Sequence, residues 1–411
     1  MLDLKYIREK GKSVEDGAAA KGVTIDIQKV IAADDAYRAL LQEVQKLREE
    51  RNSAAKRRDI KQGKQIKDEL AGKEEALKKA DELLQRLLRQ IPNPSKPDVK
   101  VGKNDTENDV IRTYKEPTKF SFTPKDHLAL GETLDIIDTE RAAKVSGARF
   151  TYLKNEAVLL ELALIQYAMA TLVKEGFTPV IPPYLLKRET MQDLGYLENG
   201  GEEDMFYLEK DDMFLIGTAE HSIASMFKNE TLSAADLPRR FVGFSPAFRR
   251  EAGSYGKDTK GILRLHQFDK AEMVSFVKKG EDDREHEYLL SLEERFFQAL
   301  GIPYQVVKMC TGDLGFPAAR KYDIEAWMPG QQKYREVTSV STVTDFQSRR
   351  LNTKYRLEGE TEYVQILNGT AFAMGRTLIA IFENYQQKDG SVAIPDVLVP
   401  YTGFSKIEPK K

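Results

Sequence analysis

Between residues 27 and 91 the apolar positions follow a helical code. In the second half they run Ile66, Leu70, Leu77, Ala80, Leu84, Leu87 and Ile91, in alternating steps of four and three, with Lys73 filling the one missing seam position. The first half has Tyr37, Leu40, Val44, Leu47 and Ala54 at the same kind of spacing, with Arg51 interrupting. No proline falls between Ile27 and Gln90. The pattern predicts two long helices separated by a short break at Lys61-Gln62-Gly63-Lys64 and folded back as an antiparallel hairpin. A first helix of about 34 residues would reach about 50 Å. The pattern stops at IPNPSKPDVKVGKND (91–105), where three prolines in seven residues cannot continue a helix. A domain boundary is placed there, with residues 1–105 on one side and 106–411 on the other.

Beyond residue 110 the periodicity is mixed. Short alternating runs such as FVGFSPAF and YDIEAWMP read as strands, and Glu156–Lys174 reads as an amphipathic helix. Strands joined by loops predict an α+β domain, a largely antiparallel sheet with helices packed on it. No GxxxxGK[ST] is present, and no GxGxxG follows a strand. A nucleotide bound here would therefore be held by side chains rather than by a glycine loop at a helix start.

Charge alters this picture only locally. Lys and Arg number 63 against 65 Asp and Glu, so the chain as a whole is no polybasic nucleic-acid binder. Between Lys56 and Lys73, however, seven Lys/Arg face three acids. That run reads either as a solvated helical surface or as a lever that meets nucleic-acid phosphates. No aromatic residue interleaves the charges, which favours a duplex or folded RNA over stacked single-stranded bases. The single cysteine, Cys310, excludes an internal disulfide and fits a reducing compartment. With only four histidines beside it, a Cys/His zinc cluster is not expected. The start, MLDLKYIREK, lacks the apolar run of a secretory leader, and AVLLELALIQYAMATLV (157–173) carries Glu161 and Gln166 and reads as too short and polar to span a bilayer. A cytoplasmic protein with no membrane and no DNA partner is expected.

The chemistry concentrates in FRREAGSYGKDTKGILRLHQFDKAEM (248–273). Phe241 to Ala252 and Leu263 to Phe276 read as two strands joined by a long loop with glycines at 253, 256 and 261, for which mobility is expected. Strand periodicity puts Arg249 with Glu251 on one face, and Arg264, Phe268 and Glu272 on one face of the return. Two cations, two carboxylates and a ring on a buried face are costly unless a ligand fills it. ATP satisfies each group: Arg249 for a phosphate, Phe268 for the adenine face, Glu251 for the base amino group. The plain alternative is a surface hairpin with cross-strand ion pairs and Phe268 in the core.

FRRE, a loop and RLHQF resemble motif 2 of the class II aminoacyl-tRNA synthetases. GFTPVIPPYLL (176–186) resembles motif 1, with Pro183 at the place of the dimer interface, and NGTAFAMGRTLIAIFENYQ (368–386) resembles motif 3, with Arg376 as its arginine. The N-terminal hairpin (27–91), TAE (218–220), HQFDKAEM and TGDLGFPAARKYDIE are similar to the seryl-tRNA synthetase family in particular. The resemblance implies an N-terminal antiparallel two-helix coiled-coil arm plus a class II catalytic domain on an antiparallel β-sheet flanked by helices. It implies activation of L-serine by ATP and transfer to tRNA(Ser), with tRNA(Sec) as a further acceptor, in a homodimer joined through motif 1.

Carried over position by position, Arg249 and Arg376 are the catalytic cations, on the α- and γ-phosphates. The ATP site takes in Arg250, Glu251, Leu265, Phe268, Glu336, Val337, Thr338 and Ser339 as well. Glu336 and Ser339 are implied as ligands of Mg²⁺, and no zinc is expected. Thr218, Ala219, Glu220, Glu272 and Thr370 are implied around serine. Lys56, Arg57, Arg58, Lys61 and Lys64 are implied on tRNA. The run VTSVSTVTDF departs from the family pattern at Val340 and Thr342, which are expected to reshape the pocket floor. Three other readings are a ligase that loads a carrier protein, a non-catalytic RNA-binding relative, and a synthetase for threonine, proline or glycine, whose families lack this N-terminal hairpin. The helical arm argues against the first, and retention of Arg249, Glu251, Phe268, Glu336, Ser339 and Arg376 against the second.

Overall fold

The computed structural model describes residues 1–252 and 261–410. The chain divides into two compact units, Met1–Pro94 and Ser95–Lys411.

The first unit is helical: α1 (Leu4–Ala20), α2 (Ile27–Lys56) and α3 (Ile60–Arg89). α2 and α3 pack along the predicted seam. Val44, Leu47, Ala54, Ile66 and Leu70 form one buried cluster, and α1 closes a second one around Ile7, Val14, Ile27, Val30, Leu84 and Leu88. Lys73, at the polar gap in the seam, is answered across the hairpin by Glu43 at 2.5 Å, and Arg48 by Glu74 at 2.7 Å. These pairings give the antiparallel sense. The break between the helices lies earlier than the predicted Lys61–Lys64. Arg58 adopts a left-handed φ of 58°, and the Asp59 carboxylate accepts from the Gln62 N–H at 3.0 Å, starting α3 at Ile60. The Asp cap therefore outranks Gly63, which α3 absorbs, as helices tolerate an isolated glycine. α2 is 30 residues long, about 45 Å rather than 50 Å.

The second unit is built on an eight-stranded sheet. Its strands in chain order are β1 (Asp109–Tyr114), β2 (Thr178–Val180), β3 (Arg239–Phe248), β4 (Gln267–Val277), β5 (Tyr304–Lys308), β6 (Arg320–Met328), β7 (Lys333–Thr344) and β8 (Gln365–Ala373). Across the sheet they run β1-β5-β6-β7-β8-β4-β3-β2. All neighbours are antiparallel except β2, which lies parallel to β3 at one edge. The packed helices include α4 (Glu156–Lys174), α5 (Ala219–Ala224), α6 (Asp282–Ala299), α7 (Phe346–Leu351) and α8 (Met374–Tyr385). α4 is long and apolar enough by composition to cross a bilayer, against the expectation from its Glu and Gln. Ala157, Leu160, Ala163, Leu164, Ala168 and Leu172 lay one side of it in the core, where they join the sheet through Phe296, Phe372 and Ala371.

Two strand ends differ from the sequence reading. β3 stops at Phe248 rather than at Ala252, and β4 starts at Gln267 rather than at Leu263. The Arg249 N–H still bonds the His266 carbonyl at 3.0 Å, but the Arg250 N–H turns to the Asp204 carbonyl at 2.8 Å and leaves the ladder. Glu251 then takes a positive φ of 53°. Arg249, Glu251 and Arg264 thus sit on irregular backbone beyond the strands, so strand alternation is not what orients them. Gly253 and Gly256, with the expected mobility of their loop, lie outside the described residues.

Candidate active site

Phe268, Lys270 and Glu272 alternate along β4 and face a cavity of about 520 Å³, while Ala271 and Met273 point into the core behind. The cavity is also lined by Thr370 of β8, by Glu336 to Ser339 of β7, and by Arg376 near the start of α8. Thr218 and Glu220, at the start of α5, close another side. The Thr218 hydroxyl caps α5 by accepting from the Glu220 N–H at 3.3 Å. Residues far apart in sequence meet here because β8 lies between β7 and β4.

One end is rich in cations and carboxylates. The Arg249 guanidinium lies 5.4 Å from the centre of the Phe268 ring, and its Nε donates to the Gly217 carbonyl at 3.1 Å. Arg264 pairs with Glu251 at 2.9 Å. Arg376 pairs with the Glu336 carboxylate at 3.0 Å and donates to the Leu263 carbonyl at 3.3 Å. Burial alone would raise Glu336, but Arg376, Lys321 and Arg249 outweigh it and push its pKa down to about 2. Asp323, paired in register with Ser339, is pushed up to about 7 by burial, which Lys321 only partly offsets. Leu265 and Val337 supply apolar wall.

The other end is smaller and more buried. Glu272 is 1% exposed, forms an ion pair with Lys270, and accepts from the Thr370 hydroxyl at 3.3 Å. Glu220 accepts from the Tyr196 hydroxyl at 2.8 Å and from the Gln347 amide at 3.2 Å. Burial and the Glu272 charge raise the Glu220 pKa above the usual carboxylate range. His221 is driven well below its ordinary value by burial, then by Arg249 and Lys270, so it is neutral and its Nδ1 accepts from the Gly217 N–H at 3.2 Å.

Two of the implied site residues are not brought to the cavity wall. The Arg250 guanidinium turns away, donating to the Met205 carbonyl at 2.9 Å and lying over the Phe206 ring. Ala219 is fully buried and packs beneath Gly243 of β3. Val340 and Thr342 are also fully buried and lie outside the cavity lining, with Thr342 bonded to Asp282 of α6 at 3.2 Å. They shape the layer behind the floor rather than its surface. In the first unit, Lys56, Arg57, Arg58, Lys61 and Lys64 are all exposed at the turn between α2 and α3. Tyr196, Lys270, Gln347 and Lys321 escaped the sequence reading. Lys270 alone had a local signal, since it shares the two-residue alternation of Phe268 and Glu272.

Residues 206–385 match the class II tRNA synthetase core domain shared by the G, H, P, S and T enzymes, which defines the class. Residues 1–95 match the seryl-tRNA synthetase N-terminal domain. The chain is 44% identical to a serine–tRNA ligase of Dictyoglomus turgidum, over all of both chains. It superposes on seryl-tRNA synthetase of Pyrococcus horikoshii, a complex with ATP, with a TM-score of 0.91, 41% identity and full coverage of both chains. The cytoplasmic serine–tRNA ligase of Naegleria fowleri, a complex with AMP, gives 0.88 and 33% over all of this chain and 99% of that one. The chain belongs to the seryl-tRNA synthetase family.

Proposed function

We propose that the protein is a serine–tRNA ligase that activates L-serine with ATP, releases pyrophosphate, and transfers serine to the 3′ end of tRNA(Ser), with tRNA(Sec) as a second acceptor. The observation that carries this reading is the division of one cavity into two ends. The Arg249, Arg376 and Phe268 end suits a polyphosphate with a flat base, and the Glu220, Glu272 and Thr370 end suits a small hydroxylated ammonium compound.

In this reading the serine carboxylate attacks the α-phosphorus in line. A P–O bond to serine forms as the bond to the β-phosphate oxygen breaks, and pyrophosphate leaves with the electron pair. Arg249 neutralises charge on the α-phosphoryl oxygens and Arg376 holds the γ-phosphate, so positioning and electrostatics do the work. Glu251 accepts from the adenine amino group and Phe268 stacks on its ring. Thr218 and Glu220 hold the α-ammonium, and Glu272 with Thr370 holds the side-chain hydroxyl. A site that bonds the hydroxyl leaves polar groups unpaired when alanine or glycine binds, which discriminates strongly.

Glu336, kept ionised beside Arg376, and Ser339 are hard oxygen donors of the kind that hold Mg²⁺ together with substrate phosphates. Bound there, Mg²⁺ would neutralise phosphate charge. The first unit is assigned to tRNA through its exposed basic tip. A homodimer through motif 1 is supported by the sheet edge at β2, where Ile181 is 77% exposed, and by Leu159 and Leu162, which are exposed on α4. A cytoplasmic location follows from the proposed role.

Serine-dependent ATP–pyrophosphate exchange tests the reading, with threonine, alanine and glycine as controls. Exchange with serine alone is expected. Exchange with none of them, from protein that binds ATP, would overturn it in favour of an RNA-binding role without catalysis.

A further inference from the structure

Behind the cavity floor lies a carboxyl group that the proposed reaction does not use. Glu293 of α6 is fully buried. Its Oε2 accepts from the Thr338 hydroxyl of β7 at 2.7 Å. The Thr370 backbone N–H also acts on this carboxyl, and Oε1 has no other partner among the described residues. That oxygen lies 3.0 Å from where a side chain on Gly369 of β8 would begin, with Val340 and Met273 completing the enclosure at 3.2 and 3.3 Å. Gly369 is followed directly by Thr370, whose side chain enters the cavity and donates to Glu272.

We infer that Glu293 is a positioning residue for the amino-acid end of the cavity. From behind the sheet it fastens β7 through Thr338 and fills the side-chain space of Gly369. It thereby sets the height of the Thr370 hydroxyl above the floor, against Glu272. The inference rests on assigning that end of the cavity to serine.

Stability alone does not account for the group. A carboxyl enclosed by Met273, Val340 and the Gly369 backbone is a poor substitute for a hydrocarbon side chain. Burial drives Glu293 well above the usual carboxylate range, with only the Thr338 hydroxyl and the Thr370 backbone N–H acting the other way and Glu272 adding to the rise. Burial therefore favours its neutral form. Glutamine has the same shape, keeps an acceptor for Thr338, and places an amide where Oε1 stands. Alanine removes both the acceptor and the support behind Gly369. The geometry thus distinguishes the two substitutions sharply.

The experiment is serine-dependent ATP–pyrophosphate exchange by full-length wild type, Glu293→Gln, Glu293→Ala and Thr338→Val, with serine and ATP titrated separately and melting temperatures recorded. Losing a hydrogen bond that sets the Thr370 hydroxyl should raise the serine KM in Glu293→Ala by about five- to tenfold. The ATP KM should rise by less than the serine KM, since Glu293 reaches the ATP end only through Thr338 and makes no hydrogen bond to Arg249 or Arg376. Glu293→Gln should restore the serine KM to near wild type. Thr338→Val, which keeps the carboxyl and removes its donor, should also raise the serine KM even if the alanine variant does not fold; its ATP KM is not compared, since Thr338 borders the ATP end of the cavity. Equal changes in both KM values of Glu293→Ala would overturn the inference, as would a loss of melting temperature with an unchanged serine KM, or a glutamine variant as impaired as alanine. If wild type itself shows no serine-dependent exchange, the proposed function fails instead, before any variant is compared.

Discussion

Removing the Glu272 charge tests the amino-acid end of the cavity most directly, but the choice of substitution matters. Glu272 is 1% exposed and its partner, the Lys270 ammonium, is nearly as buried. Alanine would leave that ammonium unpaired, a change that typically costs about 3–5 kcal/mol and would mix folding with binding. Glutamine also removes the counter-charge of Lys270, but it keeps the volume and an amide oxygen that can accept from the ammonium or from the Thr370 hydroxyl. A hydrogen bond to a charged group contributes about 1.5–3 kcal/mol and a neutral one about 0.5–1.5, so the serine hydroxyl should lose about 1–2 kcal/mol. Glu272→Gln should then lower kcat/KM for serine by roughly 5- to 30-fold. The assay is ATP–pyrophosphate exchange with serine varied at saturating ATP, then ATP varied at saturating serine. The ATP KM should change by less than about twofold, because Glu272 lies at the amino-acid end, four residues along β4 from Phe268, and Arg249 and Arg376 stand on other segments. A folded Glu272→Gln variant with unchanged serine kinetics would refute the assignment. So would one that loses ATP and serine affinity equally.

Three further outcomes are expected. Serine must meet an ionised Glu220, whose pKa is raised by burial and by Glu272; kcat/KM for serine should therefore fall as pH drops through a value above the ordinary carboxylate range, and Glu272→Gln should move that acid limb downward, as a pH profile would show. His286 is fixed neutral, with Nε2–H donating to the Val340 carbonyl at 3.1 Å and Nδ1 accepting from Arg320 at 3.2 Å, and burial lowers its pKa to about 3. The unfolded chain binds the extra proton below about pH 6.5, so stability should fall by up to about 1.4 kcal/mol per pH unit from there toward pH 3, and His286→Gln should flatten that slope in urea titrations. Reversing Lys56, Arg57, Arg58, Lys61 and Lys64 to Glu should weaken tRNA charging by at least about tenfold and reduce its salt dependence, while leaving pyrophosphate exchange intact.

The helical hairpin was legible because a seam written in steps of three and four is a property of consecutive residues. Its turn was not, because Asp59 and Gly63 both offer a stop and only the competition between a side-chain cap and a mid-helix glycine decides. The same limit appears at the cavity. Phe268 and Glu272 could be placed on one face of a strand by alternation, and they stand there. Arg249 and Glu251 reach the same cavity by a different route, along backbone that leaves the ladder when Asp204, 46 residues before Arg250 in the chain, captures its amide. Tyr196, just after a short helix at Arg188–Leu194, and Gln347 of α7 reach Glu220 only through tertiary packing, and no local pattern marks such residues. Arg250 shows the reverse case, since its sequence neighbours line the cavity while its own guanidinium is engaged by Met205 and Phe206.

The pairing of charges inside the cavity bears on how it can select a ligand. Arg264 is matched by Glu251, Arg376 by Glu336 and Lys270 by Glu272, so the side chains of the cavity satisfy much of their own charge. A ligand that brings only phosphate must draw Arg376 toward itself and leave Glu336 with one less cation, a deficit that a divalent ion would correct. A ligand that brings only an ammonium group meets Glu220 but leaves the arginines engaged elsewhere. In the proposed reading, polyphosphate at one end and a hydroxylated ammonium at the other would compensate both sets of pairs at once and would bring the carboxylate between them toward the α-phosphate. Internal pairing therefore keeps a strongly charged cavity folded, and it also sets a threshold that either substrate alone meets poorly. ATP binding should accordingly tighten in the presence of serine by the same factor that serine tightens in the presence of a non-hydrolysable ATP analogue, a reciprocity that calorimetry can measure from both directions. Equal affinities with and without the co-substrate would show that the paired charges impose no such threshold, and that each end of the cavity acts independently.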